Sequence, residues 1–153
     1  MLGLCDKWYK DWGILESKQQ LIEKYIKGID FCISHDYPSI GFIKKNFPNH
    51  LLLLNGIFLD ENVDSSNVKK AVLLGNSKGV IRYDGVRSCD VYVRHNSNIR
   101  IEAVGGAKIF VETYENCVVD AIADSYSKIF VYHHGGTINN IGNVVVKERA
   151  LAV

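Results

Sequence analysis

Histidines, carboxylates and cysteines are the side chains of this 153-residue chain that could do chemistry. His95 and the pair His133-His134 would suit a metal, because neutral imidazole is a good zinc ligand. Both follow segments of one repeating type, two repeats apart, which stacked strands would separate by about 9.6 Å. Zinc needs its ligands at about 2.0–2.1 Å, and no carboxylate or thiolate completes a set. Solvated turn histidines are the expectation. Glu112, Glu115, Asp120 and Asp124 could include a general acid and base. They are dispersed across turns and both faces of the repeat, and read as surface charge. Cys5, Cys32, Cys89 and Cys117 form no C-x-x-C pair, which removes zinc ribbons and thioredoxin-like redox motifs. They read as single buried thiols. No G-x-S-x-G, P-loop, G-x-G-x-x-G or H-E-x-x-H occurs. Trp8 and Trp12 are spaced to anchor a helix. No catalytic group, metal or cofactor is expected, and a non-enzymatic protein is favoured over an enzyme.

Composition narrows the partners. Lys and Arg number 18 against 17 Asp and Glu, a net charge of +1, so no global field draws the chain to nucleic acid or an anionic membrane. Apolar residues make up 47% and charged ones 23%, the balance of an ordered globular protein. The run Leu51–Leu54 is far short of the roughly 20 residues of a spanning helix. Met1–Asp6 is too short and too soon acidic for a signal peptide, so the cytoplasm is the expected compartment.

Two textures divide the chain at residues 59 and 60. Residues 1–59 read as a helical leader. Ser17 and Gln20 form a capping-box pattern, and Leu21, Ile22, Tyr25, Ile26, Ile29 and Ile33 then follow the helical rhythm. Pro38 ends that element, Ser39 caps a second helix, and Pro48-Asn49 leads into His50–Leu54, with Gly56 as a stop. Such short helices cannot hide their apolar faces among themselves. They need a larger surface to lie on.

Residues 60–153 supply it, because there the period changes to two. Apolar segments begin at Ala71, Val80, Val91, Ile99, Lys108, Cys117, Lys128 and Val144, separated by turn-formers such as Gly75–Gly79, Asp84-Gly85, Gly105-Gly106 and Gly135-Gly136. Lys108-Ile-Phe-Val returns as Lys128-Ile-Phe-Val, and Val91-Tyr-Val has the same in/out pattern. Segments of one type alternate with a second type, Ile99-Arg-Ile-Glu-Ala and Val119-Asp-Ala. The expected class is α+β: short helices, then a two-faced parallel β-solenoid of 9–10-residue half-coils. An antiparallel meander or barrel is the alternative, since the short turns could be hairpins.

In the solenoid, Val91, Val93, Ile109, Val111, Ile129 and Val131 point inward from one sheet; Ile99, Ile101, Ala103, Val119 and Ala121 do so from the other. Tyr92, Phe110 and Phe130 then form an outward aromatic column, flanked by Arg94, Glu112 and Tyr132. Exposed aromatic ladders demand an explanation: cover by the leader, a subunit interface, or a platform for sugar rings. The leader is expected to dock on the ladder or cap an open end, whose unpaired backbone groups invite aggregation. Tyr92, Phe110, Phe130 and Tyr132 are the candidate binding residues for a protein partner or self-association, with a homo-oligomer allowed.

Gly28–His35 (Gly-Ile-Asp-Phe-Cys-Ile-Ser-His), Val72-Leu-Leu-Gly and Tyr92–Ser97 (Tyr-Val-Arg-His-Asn-Ser) carry a resemblance across most of the chain. The layout resembles small helical-leader, β-solenoid repeat proteins of gut bacteria and their prophages, and implies no activity. A structural or protein-interaction module is the expected function. The alternatives are a small carbohydrate-binding or carbohydrate-active protein and a phage-type inhibitor of a host protein.

Overall fold

A computed structural model describes residues 17–149; Cys5, Trp8 and Trp12 lie outside that range. Among the described residues four helices come first: α1 (Lys18–Lys27), α2 (Ile29–His35), α3 (Ile40–Asn46) and α4 (Asn49–Leu54). Ser17 begins α1 with a complete capping box: its hydroxyl accepts the Gln20 N–H at 3.2 Å, and the Gln20 side chain accepts the Ser17 N–H at 2.8 Å. The long helical rhythm breaks at Gly28, whose N–H turns to the carbonyls of Ile26 and Lys24. Glycine is a poor helix former, so α1 and α2 become separate rods with room to change direction. Ser39 caps α3 by accepting the Phe42 N–H at 3.2 Å.

Eleven strands follow: β1 (Ile57–Leu59), β2 (Asn62–Ser66), β3 (Lys70–Leu74), β4 (Lys78–Asp84), β5 (Arg87–Val93) and β6 (Asn98–Val104), then β7 (Ala107–Thr113), β8 (Val118–Ala123), β9 (Lys128–His133), β10 (Thr137–Gly142) and β11 (Val144–Glu148). Odd strands form one six-stranded sheet in the order β1-β3-β5-β7-β9-β11, and even strands a second of five. Every pairing is parallel. This is a two-sided β-solenoid. The antiparallel alternative fails at Gly105-Gly106, because β6 pairs with β4 and β8 rather than with β7. Ile109 lies beside Ile129 and Phe110 beside Phe130.

The solenoid starts at Ile57, inside the stretch expected to be leader. β1 lacks the alternation that marks a strand because all three of its residues are buried. β10 lies between the apolar segments that begin at Lys128 and Val144, in a stretch, Thr-Ile-Asn-Asn-Ile-Gly, too polar to read as a segment of its own. It is a strand because β8 offers it a ladder.

Two apolar clusters hold the molecule together. Between the sheets, Val91, Val93, Ile109, Val111, Ile129 and Val131 meet Ile99, Ile101, Ala103, Val119 and Ala121, all with no exposed surface. Burying each isoleucine or valine contributes about 1.5–3 kcal/mol. The second cluster lies on the outer face of the six-stranded sheet. There Ile22, Tyr25, Ile29, Ile33, Ile43, Phe47 and Leu52 of the leader pack on Ile57, Leu59, Val72, Leu74, Tyr92 and Tyr114. No helix of the described residues is long and apolar enough to cross a membrane.

Candidate functional site

The candidate aromatic residues share one face but not one row. Ladder register sets Asp90, Phe110, Phe130 and Val145 in one row, and Val72, Tyr92, Glu112, Tyr132 and Lys147 in the next. The expected single column of Tyr92, Phe110 and Phe130 is therefore corrected. Val91-Tyr92-Val93 resembles Ile109-Phe110-Val111, but Cys89 is the residue beside Ile109. A slip of two residues keeps every side chain on its face, so alternation cannot detect it.

This shift gives the aromatics different surroundings. Tyr92 is 7% exposed and belongs to the cluster beneath the helices. Burial, and next the negative charge of Asp30, push its hydroxyl well above the usual tyrosine range. Phe110 and Phe130 stack with centroids 5.2 Å apart and planes 7° from parallel. They are half-buried and are not part of the helix-packed cluster. Lys128 Nζ lies 5.2 Å from the Phe130 centroid, and the Arg149 guanidinium 5.2 Å from that of Tyr132. The outer sheet face thus has a covered half and a half where paired rings sit among cations.

A second assembly escaped the sequence reading. At the turns from the first sheet to the second, Arg94, Tyr114 and His134 occupy equivalent positions of successive coils. Tyr114 and His134 stack with centroids 4.4 Å apart, and the Arg94 guanidinium carbon lies 5.4 Å from the Tyr114 ring centre. Arg94 also donates from Nε and Nη2 to Glu115 Oε1, each at 2.7 Å, and from Nη1 to the Ile33 carbonyl at the end of α2. Beside it, His95 Nδ1 accepts the Gly75 N–H at 3.0 Å while Nε2 lies 2.8 Å from Asp36 Oδ1. His95 is 9% exposed, so the expectation of a solvated turn histidine is overturned. The reason lies in the leader: Asp36 comes down onto the turn from 59 residues away. Asp36, His95 and Glu115 bring ligand-type atoms within 4.8 Å of one another. Arg94 already bridges that set, lying 3.8 Å from Asp36 as well as on Glu115. The assembly clasps leader to solenoid. The signal for it was the spacing of positions 94, 114 and 134, legible only once the coil length is known.

The four carboxylates are held apart in separate tasks. Glu112 Oε2 accepts from the Tyr114 hydroxyl at 2.8 Å and lies 3.2 Å from His134 Nε2. Glu115 belongs to Arg94. Asp120, on the other sheet, accepts from the Asn139 amide at 2.8 Å. Asp124 closes a turn by accepting the N–H groups of Gly105, Tyr126 and Ser127, and the Gly105 bond above all holds its carboxyl below the usual range. The structure brings no two of the four together as an acid–base pair. Burial pushes the Cys117 thiol up to about 11 and raises Cys89 as well, which keeps both in the unreactive thiol form.

The outer face of the five-stranded sheet is polar. Asn62, Asp64, Lys78, Asn98, Arg100 and Asp120 line a shallow, open groove of about 450 Å³. It has no aromatic side chain on which a sugar ring could stack. Compared with protein-family models, curated proteins and solved structures, the chain finds no match.

Proposed function

We propose that the protein is a non-enzymatic interaction module whose contact surface is the half of the six-stranded sheet that none of the described helices covers, with Phe110, Phe130 and Tyr132 as anchors. The carrying observation is the parallel Phe110–Phe130 pair, half-buried on a flat face outside the helix-packed cluster. Contact surfaces concentrate their energy in a few aromatic and arginine anchors ringed by polar groups. Tyr132 with Arg149 and Lys147, and Phe130 with Lys128, have that composition. Tyr92 serves folding, not contact. The module acts in the cytoplasm and is of phage derivation, a reading that rests on the resemblance seen in the sequence and on the burial of the Cys89 and Cys117 thiols. Cations already lie over the Phe130 and Tyr132 rings, where a sugar would have to stack, and this favours a protein partner over a carbohydrate.

The test is capture from the native host with the full chain, compared between wild type, Phe130→Asp and Asp120→Ala, with thermal melts on each. A partner retained by Asp120→Ala and lost by a stably folded Phe130→Asp supports the contact face. If Phe130→Asp keeps every partner, the face is not the contact surface.

A further inference from the structure

We propose that the C-terminal end of the solenoid is a self-pairing edge, through which two copies join tail to tail by β10 and β11. Among the described residues β10 and β11 are the last strands of their sheets, and each has a ladder on one side only. The inward rows reach this end unfinished. Ile81, Ile101 and Ala121 have no exposed surface, yet Asn140, next in their row, is exposed. Ile129 and Val131 are fully buried, whereas Val144 and Val146 beside them are only half-buried.

The backbone is equally unfinished. The Asn143 carbonyl and the Arg149 N–H bond to β9, so alternation turns the peptide groups of Val144, Val146 and Glu148 to the free side. By the same alternation from Thr137, which bonds to Cys117, Ile138 and Asn140 face outward from β10. Exposed edges are normally protected by charge, proline or a bulge. β10 carries no charged residue and no proline, and β11 carries its charges, Lys147 and Glu148, only at its last two positions.

The occupant that fits is a second copy of the same end. At the opposite end β1 has only three residues, all buried, Ile57 and Leu59 beneath the helices and Phe58 between the sheets, and β2 carries Asp64. A head-to-tail stack would oppose unlike edges; a two-fold arrangement opposes each edge to itself. An axis normal to the sheets makes both junctions antiparallel and keeps inward rows inward. Centred on the middle of each strand, it sets Val146 against Val146 of the partner subunit. It likewise sets Asn140 against Asn140 of the partner subunit, and amides can donate and accept together. The two outer faces then lie on one continuous surface, so the Phe110–Phe130 pairs stand side by side on it. That last consequence rests on the proposed contact face; the pairing itself does not.

Sedimentation of the full chain over a range of concentrations tests this. Wild type is expected to be dimeric, and Val146→Lys and Asn140→Lys monomeric with unchanged circular dichroism. Asn140→Cys in a Cys5→Ser background should form an intersubunit disulfide, because opposed residues of an antiparallel pair lie about 4.5–5.5 Å apart. Phe130→Asp should remain dimeric even if partner capture is lost, which separates this proposal from the contact face. A wild-type chain that stays monomeric throughout overturns the proposal. So does a dimer that survives both lysine variants, or one that dissolves with Phe130→Asp alone.

Discussion

Arg94 holds three things at once: the Glu115 carboxylate, the Ile33 carbonyl and the face of Tyr114. Hydrogen bonds to charged groups contribute about 1.5–3 kcal/mol each, and their loss strands the partner. Glu115 and Asp36 keep side-chain exposures of 37% and 39%, so water can recover part of the loss. Arg94→Ala is expected to cost about 2–3 kcal/mol, read as a lowered denaturation midpoint. Arg94→Lys should not restore it, since an ammonium cannot present the planar fork. His133 gives a pH-dependent counterpart. The Gly136 carbonyl, and next the Glu148 carboxylate, hold its imidazole above the ordinary 6.5. A raised folded-state value means the protonated form is preferentially stabilised. That contribution is complete below about 6.5 and lost as pH rises through the folded value. Melts from acid to mildly alkaline pH should show wild type ahead of His133→Asn on the acid side and the two converging above it. A constant gap would mean that the ring contributes by packing alone.

At the scale of elements, the interface between leader and solenoid depends on apolar residues that a free solenoid would expose. Leu74, in β3, is 2% exposed and packs outward with the helices, unlike its neighbour Leu73 on the inward row. Leu74→Ala is expected to cost about 2–5 kcal/mol in a urea titration. Phe130→Ala, half-buried and away from that cluster, should cost distinctly less. Equal losses would mean that the Phe110–Phe130 face is as much a folding surface as the covered half. The opposite sheet has a different economy: Arg82 bridges Asp64 at 2.9 Å and Glu102 at 3.2 Å, and Arg100 meets Glu102 at 3.0 Å. Such exposed ladders are worth little individually. They keep that face wet.

Across the whole molecule, the leader and the interior cannot be exchanged for one another. The two sheets bury the solenoid interior between them, but Val72, Leu74, Tyr92 and Tyr114 on the outside are buried beneath the helices. Deleting residues 1–55, which spares β1, should therefore yield aggregates larger than any species the intact chain forms, read by light scattering. A soluble protein of the same oligomeric state as the intact chain, with unchanged strand signal, would show that this outer cluster is not needed to keep the solenoid folded.

Much of this architecture was already determined by the sequence alone. Alternation assigned Ile109, Val111, Ile129 and Val131 to the interior, and the return of Lys-Ile-Phe-Val at Lys108 and Lys128 marked neighbouring strands. Ser17 and Ser39 announced their helices because capping is local chemistry. The tertiary structure decided what local chemistry does not encode. A period of two specifies a face but not a row, so only the closed coil placed Tyr92 beside Glu112 and under the helices, leaving Phe110 with Phe130. β10 is too polar to declare itself and became a strand because β8 needed a partner. The clasp joins Ile33 and Asp36 to Arg94 and His95 across 61 and 59 residues. Contacts at that separation come from docking the leader on the coil, which no short-range pattern records.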